Sequence, residues 1–519
     1  MSSKIGTNLT SIGDDSPQKP FTDAFKSSRS WVTSDSANYV FNTHETNQLD
    51  LDEQGWVKSL PSPSDSPQYD SVTTLIYREV PKGYEGGQYV ILYDGQGNIN
   101  YSLDATIDPS ASSPGRDVIN VTPTDRGISL KITETDPSGT GDYIRNIRVV
   151  PRKEERNYSS QPFNGAFLDK VNDYSTLRFM DWMKTNDSNQ KDWSDRPTPD
   201  DLTYSTKGVP VEVMVELANQ TDADPWFTMP HQATDEYVRN FATTVKNNLE
   251  SGRKVYVEYS NEVWNGDFAQ SNWVIQQAKN QGMPGSWDGA KRTNWFSKRT
   301  TEITQIWDNV FGSDKERVIG VMGAQASNTS VAREAISYEW TDNPQSNEAY
   351  GIDAIAIAPY FGYFLGSSEN TSQVESWTSE DDGGLNKLFD EITKGGVLSG
   401  GPDGGSLLQS YNWMQQHAEL ASGEGLELIA YEGGQHLAGV GDVRNNSRLT
   451  QLFIDANRDS RMGDVYRQYF QKWFSLGGGT FAHFSDIGTP TKFGSWGALE
   501  DVSQASSPKY DALMNVINF

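Results

Sequence analysis

The chain has 519 residues, with 43 basic and 70 acidic side chains and a formal net charge of −27. At roughly 100–200 residues per domain, that length allows about three domains, or one large barrel with a second domain attached. So acidic a chain repels nucleic-acid phosphates and anionic lipid headgroups, which argues against both as partners. Cysteine is absent, which excludes disulfides, thiol nucleophiles and thiolate metal sites. Mean hydropathy is −0.65, and no apolar run approaches the ~18 residues of a membrane span.

In chain order, the first six residues, Met1 to Gly6, carry no apolar signal region, so the expected secreted or extracellular location rests on a signal absent from these residues. Ile5–Leu9 reads as a first strand. From about Leu51 to Arg152 the pattern is short β-runs at 72–77, 88–93, 128–132 and 143–150, with turn signals such as Asp94-Gly95 and Asp136-Pro137-Ser138-Gly139 between them. Such spacing predicts a small antiparallel β-sandwich. After residue 155 strands alternate with helices. Strands are expected at 176–179, 211–216, 255–259, 318–322, 352–358, 427–431 and 479–484, and helices at 234–250 and 294–310. In the first helix Tyr237, Phe241, Val245 and Leu249 share one face. With Ile5–Leu9 these make eight βα units, hence a (β/α)8 TIM barrel with the sandwich inserted after its first strand. The domains are then 1–50 (first barrel strand and mouth loop), 51–152 (sandwich) and 153–519 (the rest of the barrel). A doubly wound open sheet is the alternative. Gly395 to Gly405 reads as a surface loop.

Two strand ends carry the chemistry. Val255 to Tyr259 runs into Ser260-Asn261-Glu262, where a barrel strand points into the active-site mouth. By period two, Tyr256, Glu258, Ser260 and Glu262 share a face. A carboxylate capping a helix N-terminus is the plain alternative. The second run, Leu426 to Tyr431, ends in Glu432 and two glycines that allow a sharp turn and close ligand approach. Two such carboxyls, roughly 5–5.5 Å apart, are what retaining glycoside hydrolysis requires. One protonates the leaving oxygen, and the other attacks the anomeric carbon.

This arrangement resembles clan A of the glycoside hydrolases, which carry Asn-Glu after strand four and a glutamate after strand seven. The resemblance covers about residues 1–50 and 155–519. It implies Glu262 as acid/base, Glu432 as nucleophile and Asn261 as partner of the sugar 2-hydroxyl. It also implies that Arg178 contacts the nucleophile, that Tyr360 lies near it, and that Trp496 forms the floor of the sugar site. Ala358 stands where such enzymes often have a histidine two residues before that tyrosine.

Asp181 and Trp182 are expected at the mouth because they follow Arg178 so closely. His231, Trp226 and Gln325 are candidate substrate contacts, each with a plain loop reading beside it. Trp31 and Trp264 are further candidate sugar platforms, and His483 is expected in or beside the core. Asp455-Ala456-Asn457-Arg458-Asp459 has the alternating oxygens of a calcium loop, but Ser460 and Tyr466 replace its glycine and its bidentate glutamate. No metal site is therefore assigned. There is no His-Glu-x-x-His, Gly-x-Ser-x-Gly, Gly-x-Gly-x-x-Gly or Gly-Lys. No cofactor and no obligate protein partner is expected. The reading is a retaining, endo-acting hydrolase of β-glycosidic bonds in a polysaccharide or oligosaccharide. Net charge points to a neutral glycan, subject to local charge in the cleft. The alternative is a non-catalytic carbohydrate-binding protein on the same barrel.

Overall fold

The computed structural model describes residues 4–61, 68–80, 84–339 and 348–517, so Met1–Ser3 of the N-terminal reading lie outside it. Two compact units emerge: one from Met1–Thr10, Val171–Arg196 and Val211–Phe519, the other from Ser11–Lys170 and Pro197–Pro210.

The first unit is a closed barrel of eight parallel strands. They are β1 (Ile5–Asn8), β2 (Thr176–Arg178), β3 (Asp224–Met229), β4 (Val255–Tyr259), β5 (Val318–Gly323), β6 (Ile352–Ile357), β7 (Glu427–Ala430) and β8 (Phe481–His483). Ile5 pairs with Phe481, which joins β8 back to β1 and leaves no sheet edge. Trp226, Tyr256, Val321, Ala356, Ile429 and Tyr431 pack together as its buried interior. Helices alternate with the strands. In the helix Asp235–Asn248, Thr234 caps the N-terminus through Tyr237 N, and Tyr237, Phe241 and Val245 are buried along one face.

One expected strand is corrected. Val211–Glu216 opens the helix Val211–Gln220, in which Val211, Met214, Val215 and Ala218 are buried at helical spacing. Its valines gave a β-like run. The true third strand is β3, disguised by Pro225 inside it. The segment with calcium-like oxygen spacing, to which no metal is assigned, is helical. Asp455–Arg458 end the helix Ser447–Arg458, and Asp459 caps the next, Ser460–Ser475, by accepting from Arg461 N at 2.9 Å.

The second unit holds two four-stranded antiparallel sheets. In spatial order, one runs Val32–Ser34, Ser71–Ile76, Ile128–Thr135, Gly97–Leu103, and the other Arg145–Pro151, Gly87–Asp94, Arg116–Val121, Ala105–Ile107. Its core includes Phe25, Trp31, Trp56, Val72, Ile91 and Leu202. The unit therefore begins at Ser11 rather than 51, because Val32–Ser34 pairs with Ser71–Thr73 and Trp31 packs inside. Trp31 is 5% exposed and donates its Nε1 to Gly55 O, so it offers no open face for a sugar.

Candidate active site

Arg178, the last residue of β2, is fully buried, and four side chains meet on its guanidinium. Nη1 donates to Asn8 Oδ1 at 2.9 Å and to Glu432 Oε1 at 3.0 Å. Nη2 donates to Asn261 Oδ1 at 3.0 Å, and Nε to Glu258 Oε2 at 3.1 Å. The register explains the convergence: Asn8 lies beside Arg178, Arg178 beside Trp226, and Thr228 beside Glu258. Trp226 Nε1 also donates to Glu258 Oε2 at 2.9 Å. A buried guanidinium demands this density of acceptors, since its desolvation is otherwise uncompensated.

Glu432 follows β7 at 7% exposure, and both its oxygens accept. Arg178 serves Oε1, and the Tyr360 hydroxyl serves Oε2 at 3.0 Å. Burial pushes its carboxyl up, to about 8, Arg178 and the Tyr360 hydrogen bond pull it down, and the charge of Glu262 pushes it further up. The Glu258 carboxyl is also raised by burial and lowered by Arg178. Glu258 and Glu432 thus share one guanidinium, and the charge of Glu262 acts on both. Asp181 adds a fourth acidic group nearby. Burial raises it to about 6, against the pull of Arg178 and Lys184.

Glu262 is half-buried just past β4. The chain reaches it through Ser260 at φ +56° and holds it at φ +39°, left-handed conformations that cost a non-glycine residue ~1–3 kcal/mol each. The expected alternation from Tyr256 to Glu262 therefore breaks at Ser260. Tyr431 Oη donates to Glu262 Oε1 at 2.8 Å, and Asn265 Nδ2 to Oε2 at 3.0 Å. Asn261, 3% exposed, spends its oxygen on Arg178 and donates Nδ2 to Asn186 Oδ1 at 3.1 Å. Gln270 braces that pair by donating Nε2 to Asn186 Oδ1 and Asn261 O.

Trp496 sits half-buried on the loop after β8, with ring contacts to Tyr360 at 5.9 Å, His436 at 5.0 Å and Phe484 at 5.7 Å. It therefore joins the Glu432 side of the site through Tyr360.

The other candidates separate. Trp182 and Trp226 are 0% exposed, Trp226 stacked on Tyr256 at 5.1 Å, and neither presents a face to a sugar. His231 is 3% exposed, packs edge-on to Trp273, and is held well below the usual histidine range, at about 4, by burial. Gln325 is exposed on the loop after β5, and its backbone carbonyl accepts from Asn328 N. His483 is buried in β8 against Tyr466. Trp264, half-buried two residues past Glu262, packs against Tyr431 and Phe296. The glycines after Glu432 answer to packing rather than to a ligand. A Cβ on Gly433 would meet Phe481 at 2.4 Å, and one on Gly434 would meet Tyr466 Oη at 2.6 Å.

Sequence reasoning did not nominate Asn8, Tyr431, Asn265 or His436. Glu258 appeared only as a face-mate of Glu262.

No protein-family model matches the chain, and no curated protein is matched. Among solved structures, the chain is similar to a 4-O-α-L-rhamnosyl-β-D-glucuronidase from Fusarium oxysporum 12S, with a TM-score of 0.36 and 13% identity over 66% of this chain and 60% of that one. A broad-specificity endoglucanase (GH5-4) from Clostridium acetobutylicum gives 0.36 and 12%, covering 68% and 89%. A fungal β-1,4-galactanase gives 0.33 and 11%, covering 69% and 92%. At those scores the barrel stands on its own strand pairing, and the chemistry on its own side chains.

Proposed function

We propose that the barrel unit is a retaining, endo-acting hydrolase of β-glycosidic bonds in a polysaccharide. The observation that carries this reading is the unlike support of two strand-end glutamates. Both oxygens of Glu432 accept hydrogen bonds, from an arginine that has no proton to exchange and from a phenol, a pattern that suits a carboxylate. Glu262 is more open to solvent, as a group exchanging protons with a leaving oxygen and with water must be. In the first step Glu432 bonds to the anomeric carbon while Glu262 gives its proton to the departing oxygen. In the second, Glu262 takes a proton from water, whose oxygen displaces Glu432 and restores both groups. Tyr363, 45% exposed, and Phe493, 57% exposed, stand on loops after β6 and β8 and offer contact surface along a longer glycan. Water is the second substrate, and the mechanism uses no cofactor.

The test is a panel of plant, algal and bacterial polysaccharides, assayed for reducing ends, with NMR of the first product. Retained anomeric configuration is the expected result. First appearance of the inverted anomer excludes Glu432 as nucleophile, and binding without release favours a carbohydrate-binding protein.

A further inference from the structure

Beside Trp496 the exposed ring of Phe493 carries two cations to which the two-glutamate chemistry gives no role. Phe493 is 57% exposed, and its backbone carbonyl accepts from Trp496 Nε1 at 3.0 Å. Two cations face this ring from loops that follow different strands. The Arg444 guanidinium, from the loop after β7, lies 5.7 Å from the ring centroid, and Lys492 Nζ, from the loop after β8, lies 5.4 Å away. Neither meets an acid among the described residues. Arg444 Nε donates to Gly441 O at 2.7 Å, and Lys492 Nζ to Asn445 Oδ1 at 3.0 Å. Other arginines of the same unit differ: Arg448 is paired with Glu375, Arg458 with Glu500, and Arg461 with Asp459.

In a chain with 70 acidic side chains against 43 basic ones, an exposed cation has acids to choose from. Two cations brought to one ring with none repel each other, and an external anion relieves that repulsion. The ring adds an apolar surface for sugar C–H groups. Trp496 links the patch to Tyr360 and hence to Glu432. We propose that Arg444, Lys492 and Phe493 form a subsite for a sugar bearing a carboxylate or sulfate group. The subsite borders the position where the bond is cleaved. This rests on the hydrolase reading and reverses the expectation of a neutral glycan drawn from net charge, because the charge a bound sugar meets at this patch is that of the two cations.

The experiment is calorimetric titration of the full chain at low salt with oligosaccharides of alginate and polygalacturonate, each beside its carboxyl-reduced form. Carrageenan oligosaccharides beside their desulfated form are the sulfate arm. The charged member of at least one pair should bind more tightly, and the arm that responds says whether carboxylate or sulfate is read. In Arg444→Gln/Lys492→Gln the affinity for that charged member should fall about tenfold, three- to fivefold per cation. The neutral member should be unaffected, and 0.5 M salt should erase the preference. Both side chains are exposed, so an unchanged melting temperature verifies the fold of the variant. A preference that survives the double substitution overturns the proposal, as does equal binding of both members of every pair, or no binding of any charged member. Charge preference without release of reducing ends would keep the subsite and sink the hydrolase reading. Release of reducing ends without charge preference would do the reverse.

Discussion

At the end of β7, Glu432 is 7% exposed, with both oxygens held and a carboxyl raised to about 8 by burial. At the end of β4, Glu262 is half-buried behind a left-handed backbone, held by a phenol and an amide. The two positions share a barrel mouth and a residue type but differ in donors. Glu432 rests on a guanidinium already engaged by Glu258, whereas Glu262 has no cation among its hydrogen-bond partners. Burial opposes ionisation of Glu432, but once it is ionised its guanidinium and phenol donors hold the negative charge beside a forming sugar cation. Glu262, with no guanidinium donor, is placed to pass a proton back and forth. Each prediction below is a way to break or sharpen this comparison.

The largest effect belongs to the acids themselves. Glu432→Ala should lose about 10⁴-fold or more on every substrate, since no covalent intermediate forms. Glu262→Ala should lose ~10²–10⁴-fold on polysaccharide but far less in the first step on an aryl glycoside whose phenol leaves unaided. Azide should then restore its turnover by attacking the intermediate. Near-normal polysaccharide activity after removal of either carboxyl would abolish the distinction.

A second test uses pH. In the proposed mechanism ionised Glu432 attacks, so kcat/KM on an aryl glycoside should fall as pH drops below about 8, well above the ordinary carboxylate value of 4.5. Glu258 competes for Arg178, so Glu258→Gln should leave the guanidinium to Glu432 and move this acid limb downward. The sign for stability follows from the same shift. Between 4.5 and about 8 the folded chain holds a proton that the unfolded chain has released, so this group removes stability as pH rises through that window. Glu432→Gln should flatten that part of a denaturation-versus-pH curve. An acid limb that does not move in Glu258→Gln would show that the guanidinium does not set the ionisation of Glu432.

Both glutamates were legible because each ends a β-rich run just before turn residues, and Arg178, Asn261 and Tyr360 were legible only through the family likeness. Asn8 and Tyr431 have no comparable local signal. Their partners lie 170 and 169 residues away, and the contacts exist only once the barrel closes. Trp182 and Trp226 misled for a related reason: an indole's value as a sugar platform depends on which way it faces, and folding buries Trp226 in the barrel interior and Trp182 against Phe179. Val211–Glu216 misled because a valine-rich helix start and a buried strand look alike over six residues. The insert boundary misled because Val32–Ser34 is too short to announce itself before its partner Ser71–Thr73 is known.

The smallest expected effect separates the two phenols. Tyr360 donates to Glu432 and Tyr431 to Glu262, at 3.0 and 2.8 Å. A hydrogen bond to a charged group is worth ~1.5–3 kcal/mol, so each phenylalanine substitution should cost roughly 10- to 100-fold where its partner acts. As the proposed nucleophile Glu432 would act on every substrate, so Tyr360→Phe should slow the aryl glycoside and the polysaccharide alike. It should also raise the acid limb, because the lost bond had favoured the carboxylate. Glu262 matters most when the leaving group needs a proton, so Tyr431→Phe should slow the polysaccharide and spare the first step on the aryl glycoside. Each variant keeps its ring, Tyr431 in the barrel interior and Tyr360 against His436 and Trp496, so a loss common to both substrates in Tyr431→Phe cannot be ascribed to packing. It would mean that Tyr431 serves Glu432 as well, and that the two glutamates are not separately supported.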